Sequence, residues 1–311
     1  GFIGGWLAQD LLSKGFTDVR CVDLKPISEW HQVIPDYENV SADLQLLEEC
    51  RRSMRGRAQV FNLAADMGGM GFIELNKAAC MLSSLINTHL LIAAREEGAE
   101  RFFFSSSACV YNAGKQNTVE AAPLKESDAY PAMPEDGYGW EKLFSERMVR
   151  HFMEDFGIDG RVARYHNVYG PHGTWSGGRE KAPAAISRKV AQAILDGTNE
   201  IEIWGDGEQT RSFTWIGDTV HGTELLMWSE FRDPINIGSD ELVSINTLVS
   251  IVESIAGVTL KRRYVLDAPK GVRGRNSDNS LIRQELNWEP SVPLAEGMEE
   301  TFTWIFDQMK A

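Results

Sequence analysis

Apolar positions along the chain follow two alternating rhythms. Short contiguous apolar runs close on a small or acidic residue, and longer stretches repeat every three to four positions. Behind Gly1-Phe2-Ile3-Gly4-Gly5, residues Ile3, Leu7 and Leu11 share one helical face. Val19-Arg20-Cys21-Val22-Asp23 and Val40-Ser41-Ala42-Asp43-Leu44 read as short buried strands ending in an acid. Val60-Phe61-Asn62-Leu63-Ala64-Ala65 is a third strand, with small residues at its tip, and a glycine-rich loop from Asp66 to Gly71 follows it. A helix through Leu82, Leu85, Ile86, Leu90 and Ala93 precedes the run Phe102-Phe103-Phe104, which passes into Ser105-Ser106-Ser107. Arg161 to Tyr169 is a further strand and runs into Gly170-Pro171. Strands alternating with helices at this pace predict an α/β protein with a doubly wound parallel sheet. Ligands of such sheets lie beyond the carboxyl ends of the strands, where Ser107, Cys109 and the Gly68 loop fall.

Past Gly170 the regularity changes. A loop from Gly173 to Gly178 leads into Arg179-Glu180-Lys181-Ala182-Pro183, which opens a helix. Trp204-Gly205-Asp206-Gly207, Gln209-Thr210-Arg211-Ser212-Phe213 and Arg273-Gly274-Arg275-Asn276 follow, and Leu294 to Met309 reads as a terminal helix. The expected division is a larger unit over 1–170, to which 206–235 returns, and a smaller α/β unit over 171–311. The nine tryptophans, Trp204 and Trp304 among them, are expected in the core. His166 and His172 are expected to be packed or hydrogen-bonded.

Composition narrows the partners. With 43% hydrophobic and 24% charged residues, the 311-residue chain is an ordinary globular one. A net charge of −14 disfavours nucleic acid and anionic membranes, which need a basic face. It leaves room for an anionic small molecule in a cleft lined by a few arginines. The four cysteines show neither a CxxC nor a metal-ligand spacing, so a reduced, cytoplasmic protein without a metal is expected. No apolar run reads as membrane-spanning, and no signal peptide is visible.

The candidate chemistry lies between Ser105 and Lys142. Tyr138 and Lys142 are four residues apart and share a helix face. An ammonium beside a phenol favours the phenolate, so Lys142 is expected to lower the Tyr138 pKa from about 10. With Ser107 holding an alcohol against that oxygen, the trio suits proton removal while hydride leaves for a nicotinamide. The same spacing also fits an amphipathic helix that merely begins on a tyrosine. Gly1 and Gly4 resemble the back half of a glycine-rich strand-turn-helix, its first strand and first glycine absent, which would admit a pyrophosphate at a helix N-terminus. Asp23, about 20 residues on, would take the ribose hydroxyls and favour NAD over NADP. Asp43 is either a second acid near the adenine or the cap of a helix starting at Leu44.

Together these residues resemble the extended short-chain dehydrogenase/reductase family and its NAD-dependent nucleotide-sugar branch. The resemblance is carried by Gly1 to Gly4, Asp23, Asn62 to Ala65, Ser105 to Tyr111, Tyr138 with Lys142, Arg164 to Pro171, and Arg211-Ser212-Phe213 with Asp218. Four longer stretches narrow it to members that invert two carbons of a GDP-sugar: Ala65 to Gly71, Ser106 to Cys109, Gly177 to Ala185 and Gly271 to Asn279. The resemblance implies a Rossmann-type fold, bound NAD, a homodimer, and epimerisation of GDP-mannose at C3 and C5, towards GDP-L-galactose, through a transient 4-ketone. It makes Tyr138 the base at the C4 hydroxyl, Lys142 its partner at the nicotinamide ribose, and Ser107 the holder of the C4 oxygen. It makes Cys109 the base and Lys181 the opposing acid at carbon. It places Ala64 and Ala65 against the cofactor. Gly68, Ala108, Asn167, Glu180, Ala182, Gln209, Arg211 and Arg275 fall to the substrate, with the arginines on diphosphate or ribose.

Two other readings remain open from the residues. A nucleotide-sugar 4-epimerase or dehydratase shares Ser107, Tyr138 and Lys142, but a dehydratase is expected to carry an Asp-Glu pair where Ala108-Cys109 stands. A non-catalytic NAD-binding sensor would have no use for the intact trio.

Overall fold

Strands buried on both faces require helices on both sides of a parallel sheet, and the chain builds that arrangement from its first residues. The computed structural model describes residues 1–269 and 271–310. Helix α1 (Phe2–Ser13) leads to β1 (Arg20–Asp23), which pairs in parallel with β2 (Glu38–Ser41). Helix α2 (Leu47–Met54) precedes β3 (Gln59–Asn62). Helices α3 (Met70–Leu75) and α4 (Lys77–Glu97) carry the chain to β4 (Arg101–Ser107), and α5 (Asp136–Phe156) carries it on to β5 (Asp159–Tyr165). Strands β3, β4 and β5 are parallel neighbours, with Ser107 of β4 opposite Tyr165 of β5.

The second half begins with β6 (Val168–Tyr169), α6 (Ala182–Asp196), β7 (Glu200–Trp204), β8 (Thr210–Ser212) and β9 (Thr214–Trp215). Helix α7 (Ile216–Trp228) packs on α1 and delivers β10 (Ile235–Ile237) to the free side of β5, so the sheet order is β3-β4-β5-β10. The chain then forms β11 (Leu242–Ser244), α8 (Ile245–Ala256), β12 (Lys261–Val265), β13 (Gly274–Arg275), α9 (Ser280–Leu286) and α10 (Leu294–Lys310). Strand β8 lies between antiparallel β11 and parallel β13, while β12 pairs with β7 and β6 with β9.

Strand β4 anchors the core. Phe102 and Phe104 face α4 and α5, packing with Leu90, Leu91 and Val149. Phe103, on the opposite side as strand alternation requires, joins Leu7, Leu11 and Tyr165. Burying each such ring contributes about 1.5–3 kcal/mol. Below the strand tip, Arg164 grips Glu146 through Nε and Nη2 at 2.9 and 2.7 Å, and Ser106 Oγ donates to the same carboxylate at 2.5 Å. Helix α4 is long and apolar enough to cross a membrane by length and composition, yet it packs along α2 and α5.

Three expectations need correction. Helix α2 starts at Leu47, and Asp43 instead accepts the Gln45 N–H at 2.9 Å, so this acid closes a turn and does not cap a helix. Trp204 is 42% exposed at the end of β7, outside the core. Trp304 is half-buried, its ring against those of His31 and His172.

Candidate active site

The tip of β4 and the first turns of α5 meet at one point. The Cys109 carbonyl accepts the Glu135 N–H at 3.0 Å, fastening the turn after β4 to the residue that precedes α5. Tyr138 lies in the first turn of α5, buried with Cys109, Cys80 and Ile73. Ser107 hydrogen-bonds to the Tyr138 phenol and accepts the Cys109 N–H at 3.2 Å. Lys142 is fully buried, its ammonium 5.6 Å from the Tyr138 ring centre and 4.7 Å from that of Phe104. The nearest carboxylate oxygen, Glu141 Oε2, is 3.7 Å away and has no hydrogen-bond partner, while Glu141 Oε1 accepts from Ser145.

The phenol does not behave as the spacing alone suggests. Burial, then the neighbouring Cys109 and Glu141, push the Tyr138 pKa well above its ordinary value, against the Ser107 hydrogen bond. The expected lowering by Lys142 is absent because its ammonium lies over the ring and towards Glu141, not at the hydroxyl.

Cys109 and Ser107 reach the same site for a reason other than strand alternation. Strand β4 ends at Ser107, and residues 108–110 form a tight 3₁₀ turn that folds Cys109 back over the Ser107 hydroxyl. Ala108 is buried beneath that turn. Lys181 sits at the N-cap position of α6, with Ala182 the first residue of the helix. Its ammonium interacts with the Cys109 sulfur, although burial lowers the lysine pKa. A cation at the start of a helix opposes the helix dipole, and here it faces the thiol.

The Lys181 segment is held from below. Gly69 N–H donates to the Arg179 carbonyl at 2.9 Å, and a Cβ on Gly69 would overlap the Glu180 carbonyl oxygen. A Cβ on Gly68 would come within 2.8 Å of Phe72 and 3.1 Å of the Arg179 backbone. Arg179 pairs with Asp66 and lies 3.8 Å over the Phe72 ring.

The remaining predicted contacts divide. Asn167, at φ +40°, donates to the Ser212 carbonyl at 3.0 Å. Gln209 donates to the Trp204 carbonyl, and its buried Oε1 has no hydrogen-bond partner. Arg211 donates to the Thr210 and Val272 carbonyls, and burial, followed by Arg275, lowers its pKa to about 10. Glu180 turns its side chain into its own loop, to Arg188 and the Gly178 N–H. Arg273 pairs with Asp206 at 2.8 Å. Arg275 is enclosed: Nε donates to Gln116 at 2.6 Å, Nη2 to Glu135 at 2.6 Å and Nη1 to the Cys109 sulfur at 3.4 Å.

Sequence reasoning missed Glu135 and Gln116, which hold Arg275 at the Cys109 sulfur and carry no local motif.

The residues at the other edge fit a dinucleotide. Gly1 and Gly4 stand at the start of α1, where backbone N–H groups lack helical partners. A Cβ on Gly1 would lie 3.2 Å from Asp23 Oδ2, so the acid at the end of β1 borders the glycine turn. Gly4 faces Leu63, just past β3, and half-buried Ala64 and Ala65 follow it.

A glycine-started helix, an acid-tipped strand and a hydroxyl–phenol–ammonium set at the end of the central strand define a nicotinamide-dependent alcohol site. The chain belongs to the NAD dependent epimerase/dehydratase family, whose pattern matches residues 1–238. Over its full length it is 49% identical to GDP-mannose 3,5-epimerase of Arabidopsis thaliana and 46% identical to GDP-mannose 3,5-epimerase 1 of Oryza sativa subsp. japonica, spanning 81% and 80% of those proteins. The solved UDP-glucose 4-epimerase of Thermotoga maritima, bound to UDP-glucose, superposes with a TM-score of 0.88 at 25% identity, covering 99% of this chain and 97% of that one.

Proposed function

We propose that this protein epimerises GDP-mannose at C3 and C5, towards GDP-L-galactose, through a 4-ketone. The observation that carries the proposal is the burial of Cys109 and Lys181, which interact electrostatically, beside the Ser107–Tyr138–Lys142 set. The relatives of that name, similar over the whole chain, support the choice of substrate. NAD, held by Gly1, Gly4, Asp23, Ala64 and Ala65, supplies a reversible hydride acceptor for C4.

The chain's own residues handle the protons. Ser107 donates to the C4 oxygen and Tyr138 takes the hydroxyl proton. Because burial opposes a phenolate, Lys142 must bring its charge from Glu141 towards the phenol oxygen as the proton moves. The ketone acidifies C3 and C5. The Cys109 sulfur removes a proton from one face, and the Lys181 ammonium returns one to the other. Arg211 answers the diphosphate, with Asn167 at the sugar and Gln209 at the nucleotide. The NAD that these residues would hold could return the hydride to C4, which would leave no net oxidation.

Incubation with GDP-mannose in deuterated water tests this directly. Proton NMR should show deuterium entering at C3 and C5 of inverted products. Cys109→Ala should stop both while borodeuteride still traps a 4-keto sugar. Inverted, deuterated product from Cys109→Ala at the wild-type rate would leave a 4-epimerase as the better reading.

We further propose a cytoplasmic homodimer, with a larger unit over 1–170, to which 206–235 returns, and a smaller unit over 171–311. Met81, Leu82 and Leu85 of α4 and Trp140 and Phe144 of α5 are all exposed, an apolar face that a second copy would cover. Light scattering of wild type and Phe144→Glu tests the dimer: a monomeric wild type rejects it.

A further inference from the structure

The Cys109 sulfur faces an unusual balance of charge. Arg275 from β13 donates to it at 3.4 Å, Lys181 faces it from the head of α6, and Arg211 interacts with it from β8. Tyr138 of α5 and Cys80 of α4 share its apolar cluster. Against three cations stands one carboxylate, Glu135. It makes no hydrogen bond to the sulfur but acts on it through its charge, and it holds Arg275 Nη2 at 2.6 Å. Gln116, fully buried, fixes the third side of the guanidinium at 2.6 Å. The Glu135 backbone N–H is bound to the Cys109 carbonyl at 3.0 Å, and its Oε1 accepts the Val272 N–H at 3.3 Å. Carboxylate, guanidinium and sulfur therefore form a chain whose geometry is fixed at every link.

We propose that Glu135 is a positioning residue that governs how much of the Arg275 charge reaches the Cys109 sulfur. The inference rests on Cys109 as the base at C3 and C5. A thiolate stabilised by three unopposed cations would form readily and would be too weak a base for a carbon acid. Sharing the guanidinium with Glu135 returns basicity to the sulfur, and the Gln116 contact keeps the shared donor from swinging onto either anion. Burial already pushes the thiol pKa up, and Glu135 acts in the same direction while Arg275 opposes both.

The test is the pH profile of Cys109 alkylation by iodoacetamide in the full chain, followed on the Cys109 peptide by mass spectrometry. Glu135→Gln keeps an acceptor for Arg275 Nη2 but removes the charge. Its alkylation midpoint should fall by at least about one pH unit. Arg275→Met should move the midpoint up by a similar amount. Shifts of opposite sign from two touching residues are not what loosened packing produces, since better solvent access would move both variants the same way. An unchanged or raised midpoint in Glu135→Gln overturns the proposal, as does a lowered one in Arg275→Met. The profile is read without substrate, so it remains informative if Cys109 turns out not to be the base. In that case the midpoints shift as stated while Cys109→Ala still yields inverted product.

Discussion

Tyr138 must lose a proton in surroundings that oppose the loss, and this makes it the most sensitive residue of the site. Tyr138→Phe should lower turnover by roughly a hundred- to ten-thousand-fold, the range for one acid/base group, and should abolish the trapped 4-ketone along with deuterium uptake. A variant near wild-type turnover would show that another group takes the C4 proton. Since the phenol is held above its ordinary value, the phenolate fraction grows with pH, and C4 oxidation should speed up from pH 6 to 9. A flat profile by ketone trapping would contradict the burial effect. Ser107, Tyr138 and Lys142 could be proposed from the residues and their spacing, whereas Cys109 and Lys181 were proposed only through the resemblance carried by Ser106 to Cys109 and Gly177 to Ala185. Glu135 and Gln116 were not legible in the sequence, since their shared partner Arg275 lies 140 and 159 residues away. The direction of the Tyr138 shift was also hidden, because four-residue spacing places Lys142 on the right face without fixing where its ammonium points.

At the scale of elements, the site depends on close approaches that only glycine permits. Gly139, inside α5, lies against the turn after β4, and a Cβ there would overlap the Cys109 carbonyl oxygen. Gly139→Ala should therefore displace the Cys109 turn while leaving helix content intact. The expected result is at least about a tenfold loss of turnover, a barrier increase of roughly 1.4 kcal/mol, with an unchanged far-ultraviolet circular dichroism spectrum. Gly69→Ala presses instead on the Glu180 carbonyl and should move Lys181, so the 4-ketone should still be trapped while inversion slows. Equal loss of both signals would show that the loop carries more than Lys181. Strands and helices were readable from apolar rhythm, and the strand ends mark the site as expected. What the rhythm does not carry is the end of β4: past Ser107 the chain turns into 3₁₀ geometry, which brings Cys109 back over the Ser107 hydroxyl.

Taken whole, the molecule buries several ionisable groups between its layers, and one of them sets a pH limit. His166 is completely buried, its Nε2 on Asn236 and its Nδ1 without a partner. Burial, aided by Arg275 and Arg164, lowers its pKa to about 3, against the Asn236 hydrogen bond. In the unfolded chain the same ring titrates near 6.5, so as pH falls from about 6.5 towards 3 the unfolded state gains a proton that the fold refuses. Stability should drop by about 1.4 kcal/mol per pH unit from this group in that window. Urea midpoints for wild type and His166→Gln between pH 7 and 5 should converge, and parallel curves would show that the ring is not held neutral. The packing and hydrogen bonding of His166 were expected from the sequence, but its lowered pKa was not, because the lateral order of strands that seals it beside β10 has no local signature. The fastening of the Lys181 loop to the Gly69 loop has a consequence of another kind. Everything proposed for the alcohol step comes from one continuous stretch, Ser107 to Lys142, whereas the group proposed to set the stereochemical outcome arrives on a separate loop secured by a handful of contacts. Drift in that loop would change which sugar is made without disturbing the redox step, so a lineage could acquire new products by altering a few neighbouring codons.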